Sequence, residues 1–129
     1  MKPDLERKIN ADGLIVLGHN PLTKKEILEL ISNNTVTGDY EYNGHRIYKT
    51  FMNKNGTMIG KNDWDSLVEG SWSVFSNGCL SVKWQGYWED WIALAFEIDN
   101  QIKFYDLESG EWRTTFNKIE KGEQSLEVN

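Results

Sequence analysis

The amino-acid sequence predicts a mainly β protein, an antiparallel up-and-down barrel of about seven or eight strands with one short N-terminal helix. Aromatic residues are 12% of the chain, with only two prolines, a composition typical of large rings packed on strands. Turn-forming residues recur at spacings of roughly 8 to 12 residues. Between them apolar and polar residues alternate, as in antiparallel strands with one wet face. A two-sheet sandwich is the alternative that this pattern leaves open.

The length of 129 residues fits one domain with one hydrophobic core. Residues 1–21 mix charged residues, Gly and Asn without a sustained period, so we predict an arm that lies on the domain or is mobile. Within it, Leu14 to Leu17 form an apolar run suited to an edge strand or a plug. Residues 22–118 form the predicted helix-plus-barrel domain, and the charged and polar residues 119–129 a flexible tail.

The predicted helix begins after Thr23 and ends near Ser32. Thr23 can accept a hydrogen bond from the backbone amide of Glu26, whose side chain can return one to the backbone of Thr23. The apolar residues that share one face of this helix are Ile27, Leu30 and Ile31. The pattern therefore predicts a short amphipathic helix.

Eight strand residues are expected to point into the barrel, because they alternate with polar neighbours or are small: Trp72, Val74, Leu80, Val82, Trp84, Ala93, Ala95 and Phe104. The turns between strands are predicted at Asn43-Gly44, Asn53 to Gly56, Asn62-Asp63, Ser76 to Gly78, Asp99-Asn100 and Glu108 to Gly110. The segment from Trp91 to Phe96 is apolar on both faces. We therefore expect the helix to pack outside the barrel and to cover this strand.

Charge and cysteine content argue against several classes of protein. The net charge of −6 repels phosphate backbones and anionic lipid headgroups, so nucleic acid is not an expected partner. The longest apolar run near the N-terminus is far shorter than the roughly 20 residues of a membrane-spanning helix. Cys79 is the only cysteine, which rules out an intrachain disulfide, and we expect it to be buried.

Three groups of residues resemble a family of small exported bacterial proteins of unknown function, in which a capped N-terminal helix precedes a β-meander. They are Leu22-Thr23-x-x-Glu26-Ile27-x-x-Leu30-Ile31-x-x-Asn34-Thr35-Val36-x-Gly38, then Gly70-Ser71-Trp72-Ser73-Val74 with Gly78-Cys79-Leu80, then Ile102-Lys103-Phe104-Tyr105-Asp106. The resemblance implies a lipocalin-like barrel and a periplasmic or secreted location. Members commonly carry a second cysteine, where this chain has Trp91 and Ile92. The family brings no catalytic residues.

The segment from Trp84 to Trp91 is the strongest candidate for a ligand site, since it holds four large aromatic residues and two carboxylates at a predicted hairpin loop. Rings exposed there would form a stacking platform for a sugar or an apolar molecule, with Glu89 and Asp90 accepting hydroxyl hydrogen bonds. The alternative is that Trp84 and Trp91 belong to the core and the loop rings close the barrel mouth. The predicted ligand-binding residues are Trp72, Trp84, Tyr87, Trp88, Trp91 and Phe104.

No pattern in the sequence supports a metal site, a cofactor or catalysis. The span from Asn62 to Glu69 lacks the Gly and Glu positions of a helix-loop-helix calcium loop, so a solvated turn is predicted there. His19 and His45 lack metal-ligand spacing, and nucleophile and phosphate-binding motifs are absent. We therefore expect a small-molecule binding protein and not an enzyme. A protein-interaction module with an exposed aromatic and acidic patch is the alternative, and a carboxylate-dependent hydrolase is a third possibility.

Overall fold

The computed structural model describes residues 11–16, 18–42, 44–63, 67–86 and 88–128. The helices in these ranges are α1 (Ala11–Val16) and α2 (Lys24–Ile31). The strands are β1 (Asn34–Glu41), β2 (His45–Met52), β3 (Thr57–Asn62), β4 (Val68–Val74), β5 (Leu80–Trp84), β6 (Trp91–Ile98), β7 (Gln101–Asp106) and β8 (Trp112–Lys121). They form a closed barrel in sequence order, with every neighbouring pair antiparallel. The predicted barrel is therefore confirmed, and the sandwich alternative is excluded.

Closure depends on the pairing of β1 with β8, which carries a register shift between Thr37 and Gly38. At Gly38 a Cβ atom would lie 2.5 Å from the ring of Tyr48 and 2.8 Å from the backbone oxygen of Thr115. The absence of a side chain thus lets the Tyr48 ring pack directly on the seam. A closed barrel leaves no unpaired strand edge between its first and last strands.

The up-and-down order gives the barrel two different ends. At the first, which we call the open end, loops join β1 to β2, β3 to β4, β5 to β6 and β7 to β8. At the second, which we call the closed end, tight turns join the remaining pairs and α2 leads into β1. The two ends therefore differ in what covers the interior.

Helix α2 lies at the closed end and belongs to the interior. Its Ile27 and Ile31 are buried in the same cluster as inward-facing residues such as Val36, Leu80 and Phe104. The predicted capping box is present: the Thr23 amide donates to Glu26 Oε1 at 2.8 Å, and the Glu26 amide donates to Thr23 Oγ1 at 3.2 Å. The expectation that this helix covers the outside of β6 is wrong, because its apolar face instead completes the core.

The outer face of β6 is covered by α1. Leu14 is buried against the outward-facing Phe96, Ile98 and Tyr105 in a second, smaller cluster. The prediction of an edge strand or plug at this segment is wrong, since residues 11–16 are helical; Leu17 lies outside the described residues. The physical reason is that a closed barrel offers no edge to pair with, while its outward apolar stripe gains from being covered.

The C-terminal residues continue along the barrel. Strand β8 runs to Lys121, so the predicted tail, 119–129, begins inside it. Beyond the strand, Thr35 Oγ1 donates to the Gly122 carbonyl at 2.8 Å and accepts from the Gln124 amide at 3.0 Å. Within the described ranges, no helix is long and apolar enough to cross a bilayer.

Candidate functional site

A cavity of about 680 Å³ extends from the open end into the barrel. The interior of an eight-stranded barrel is just wide enough either to be filled by side chains or to hold one small ligand. The volume falls in the range of ligand-binding pockets, roughly 300 to 1,000 Å³. The aromatic residues among its lining are Tyr40, Tyr42, Tyr48, Trp84, Trp88, Trp91, Trp112 and Phe116. The apolar ones are Val36, Met52, Met58 and Val82.

The indole of Trp84 enters the barrel because the two strands next to β5 in the sheet, β4 and β3, carry glycine where the ring lies. A Cβ on Gly60 would lie 2.7 Å from the Trp84 ring, and a Cβ on Gly70 would lie 3.0 Å from it. Both distances are shorter than van der Waals contact, so only glycine leaves room for the ring at these positions. Trp88 packs edge-on against Trp84, with ring centroids 4.7 Å apart. The two indoles form one wall of the cavity.

Three of the predicted ligand-binding residues, Trp84, Trp88 and Trp91, line this cavity. Phe104 does not: it is fully buried next to Trp91, with ring centroids 5.6 Å apart. Tyr87 lies outside the described residues. The alternative, in which loop rings fold over the mouth, matches the structure in part, because Trp88 is turned onto Trp84.

Trp72 belongs to the barrel core and does not line the cavity. It is buried, and its Nε1 donates hydrogen bonds to the backbone oxygens of Asn53 at 2.9 Å and Thr57 at 3.1 Å. These bonds tie the indole to the β2–β3 turn at the closed end. Its contribution is therefore to core packing and turn geometry.

A directed chain of hydroxyl groups runs along one wall. Thr114 Oγ1 donates to the backbone carbonyl of Asp39 at 2.6 Å, and the Tyr48 hydroxyl lies 2.6 Å from Thr114 Oγ1. Because Thr114 has one hydroxyl proton and a carbonyl can only accept, Tyr48 must be the donor to Thr114. Burial raises the pKa of Tyr48 well above its ordinary value, so the hydroxyl is neutral and holds its proton.

Two further polar side chains lie in the wall formed by β2 and β3. Asn62 is buried at the end of β3 and donates through Nδ2 to the Tyr40 hydroxyl at 3.0 Å, so its prediction as part of a solvated turn is wrong. Thr50 is also buried, and within the described residues its hydroxyl has no hydrogen-bond partner. Residues 64–66 of the same predicted turn lie outside the described residues.

The mouth carries charged groups. Arg113 pairs with Glu89 at 2.8 Å, which connects the β5–β6 loop to β8. Asp90 Oδ1 accepts from the Trp84 amide at 2.8 Å and so fixes the end of β5. His45 contacts Asp39 at 2.8 Å, and neither lines the cavity. In the described part of the chain, no group of three His, Cys, Asp or Glu is placed to hold a metal ion.

Several lining residues were not predicted from the sequence. Tyr40 lies between Asp39 and Glu41 with the same alternation that identified Trp84, so that signal was present, whereas Tyr48 follows Ile47 and has no such alternation. Trp112 alternates with Glu111 and Arg113 in the same way, but a register shift between Phe104 and Tyr105 pairs it with the outward-facing Tyr105, so that it borders the cavity while packing against the outer cluster of Leu14, Phe96 and Tyr105. The site therefore draws on β1, β2 and β8 as well as on the strands around the Trp84–Trp91 loop.

Comparison with known proteins identifies no relative: no family model, no curated protein and no solved structure matches this chain. The resemblance to a family of exported proteins, and the export that it implies, stay predictions. The function must accordingly be argued from the cavity and its chemistry.

Proposed function

We propose that this protein binds a small apolar or aromatic molecule inside the open end of its barrel. The observation that carries the proposal is the cavity of about 680 Å³, which opens at one end and has aromatic walls. Burying apolar ligand surface against such walls supplies roughly 25 cal/mol per Å². Offset or edge-on stacking on the indoles adds further stabilisation and selects flat molecules.

The arrangement of Trp88 supports ligand binding over a protein-interaction surface. A docking patch requires rings that face outward, whereas Trp88 is partly buried and packs on Trp84 in the cavity wall. The polar groups of the lining come from tyrosine, threonine and asparagine side chains, and its charged groups are Glu41, Glu89 and Arg113. This combination of apolar surface and a few oriented polar groups is typical of small-molecule sites.

The proposal can be tested with N-phenyl-1-naphthylamine, a neutral aromatic dye whose emission rises in apolar surroundings. We expect saturable binding of one dye per chain, accompanied by a change in tryptophan emission. Competition by fatty acids, haem and short sugars then ranks natural ligand classes. Absence of saturable dye binding, together with no shift in melting temperature for any competitor, would refute the proposal.

A matched pair of variants locates the bound dye. Trp88→Ala removes an aromatic wall of the cavity and is expected to weaken dye binding about tenfold, the effect of losing roughly 1 to 2 kcal/mol of ring contact. Phe75→Ala removes a partly exposed ring in the β4–β5 turn at the closed end. It is expected to leave the dissociation constant unchanged. Equal losses in both variants would contradict binding at the open end.

A further inference from the structure

We infer that the ligand is an organic cation, an ammonium group attached to an apolar or aromatic body. This inference rests on the proposed function, because it assigns a chemical class to the molecule held in the same cavity. It is based on the charge of the open end, on the pairing of Arg113 and on the direction of the hydroxyl chain.

The loops of the open end carry one sign of charge. Their described residues include five carboxylates and no lysine or arginine: Asp63, Glu89, Asp90, Glu108 and Glu111. Two of these pair with arginines on the adjoining strands, Asp63 with Arg46 at 3.8 Å and Glu89 with Arg113 at 2.8 Å, and the carboxylates still outnumber these arginines. The turns of the closed end instead contain Lys54 and Asp99, whose charges cancel. Carboxylates grouped around a low-dielectric opening attract cations and repel anions. The mouth of the cavity therefore favours a positively charged ligand.

Arg113 is the one basic residue in the described lining of the cavity, and it is already paired with Glu89. A ligand carboxylate would have to displace Glu89 from this 2.8 Å contact before it gained the guanidinium. The remaining charged residue of the lining, Glu41, is itself a carboxylate at the end of β1. The lining thus carries two carboxylates against one guanidinium, and this net negative charge favours a cation over an anion.

Acceptor atoms and aromatic ring faces inside the cavity also favour a cation. Because the Tyr48 proton is directed to Thr114, the Tyr48 oxygen retains lone pairs and can only accept a further hydrogen bond. Ring faces of Trp and Tyr attract a cation within about 6 Å of their centroids, and Trp is the strongest of these. Trp84 and Trp88, whose planes are inclined at 68°, present two such rings in one wall. An ammonium group finds both acceptors and π faces here.

Three compounds with the same phenylpropyl body separate the possibilities: 3-phenylpropylamine, 3-phenylpropanol and 3-phenylpropanoate. At about pH 7 the first is a cation, the second is neutral and the third is an anion. By isothermal titration calorimetry we expect the amine to bind about fivefold tighter than the alcohol and more than about tenfold tighter than the carboxylate. Raising the salt concentration from about 20 to about 500 mM is expected to narrow these ratios.

Two variants that each remove one carboxylate charge test which part of the barrel causes the preference for a cation. Glu41→Gln is expected to reduce the ratio of amine to alcohol affinity about two- to threefold, since Glu41 lines the cavity. Glu97→Gln removes the same charge from an exposed position near the closed end of β6, at the opposite end of the barrel from Glu41, and is expected to leave the ratio unchanged.

The outcomes distinguish this inference from the proposed function. Equal or tighter binding of the alcohol or the carboxylate would overturn the cation inference while supporting a ligand cavity, and binding of the naphthylamine dye without binding of the amine would do the same. Failure of the dye and of all three compounds to bind would overturn both.

Discussion

Thr50 and Thr114 allow the same substitution to be made in two different hydrogen-bonding environments. Both line the cavity, and they are 2% and 3% exposed. The Thr114 hydroxyl takes part in two hydrogen bonds of 2.6 Å, whereas the Thr50 hydroxyl has no partner in the described part of the chain. Replacing each by valine keeps the shape of the side chain and removes only the hydroxyl.

The two variants are expected to change stability in opposite directions. Thr114→Val removes two hydrogen bonds and leaves the Asp39 carbonyl and the Tyr48 hydroxyl buried without this partner, which costs about 2 to 4 kcal/mol. Thr50→Val removes a desolvated group that gains nothing in return, so the free energy of unfolding should stay the same or rise by about 1 kcal/mol.

Urea denaturation followed by tryptophan fluorescence measures both values, with the slope of the transition checking that the folded state is unchanged. A loss of more than about 1 kcal/mol in Thr50→Val would show that its hydroxyl is hydrogen-bonded in the folded protein. An unchanged stability in Thr114→Val would refute the directed chain. That second result would remove the premise that the Tyr48 oxygen is an acceptor inside the cavity.

Three further predictions concern the core, the cavity wall and pH. Leu14 is 1% exposed and Ile15 is 47% exposed. In urea denaturation, Leu14→Ala should therefore lower the free energy of unfolding by about 2 to 4 kcal/mol and Ile15→Ala should barely change it; equal effects would argue against the docking of α1. Gly60→Ala should destabilise by about 1 to 3 kcal/mol and weaken dye binding, because its methyl displaces the Trp84 ring; unchanged dye affinity would contradict the position of that ring. Since burial raises the pKa of Tyr48, the contribution of this residue to stability should be constant below about pH 10 and fall above it, because the unfolded chain ionises there first. Tyr48→Phe should lessen the alkaline loss of stability, and an unaltered alkaline profile would contradict the burial of Tyr48.

Local features of the fold were predictable because local chemistry determines them. The capping box at Thr23, the tight turns and the alternation along β5 all depend on residues close in sequence. The positions of the two helices depend on which apolar surfaces of the barrel are still uncovered once the barrel has closed. Those surfaces are determined by the whole sheet and not by residues close in sequence. Alternation alone could not show that α2 enters the barrel while Leu14 covers its outer face.

The candidate site was predictable only in part, for a geometric reason. Alternation tells which residues face inward, but not how far along the barrel axis they lie. Trp84 and Trp91 adjoin an open-end loop and line the cavity, whereas Trp72 and Phe104 face inward at levels occupied by other side chains. The orientation of Trp112 could not be predicted from its alternation, because the register shift that pairs it with the outward-facing Tyr105 has no marker in the sequence.

Methyl NMR of methionine tests most directly whether the barrel interior receives a ligand. Met52 and Met58 are buried and line the cavity, and Met52→Leu and Met58→Leu assign their signals. With 3-phenylpropylamine added, both methyl groups should show nuclear Overhauser contacts to the phenyl protons, which fade when the naphthylamine dye competes. Saturable binding of the amine with no contact to either methyl group would place the ligand elsewhere and contradict a binding cavity inside this barrel.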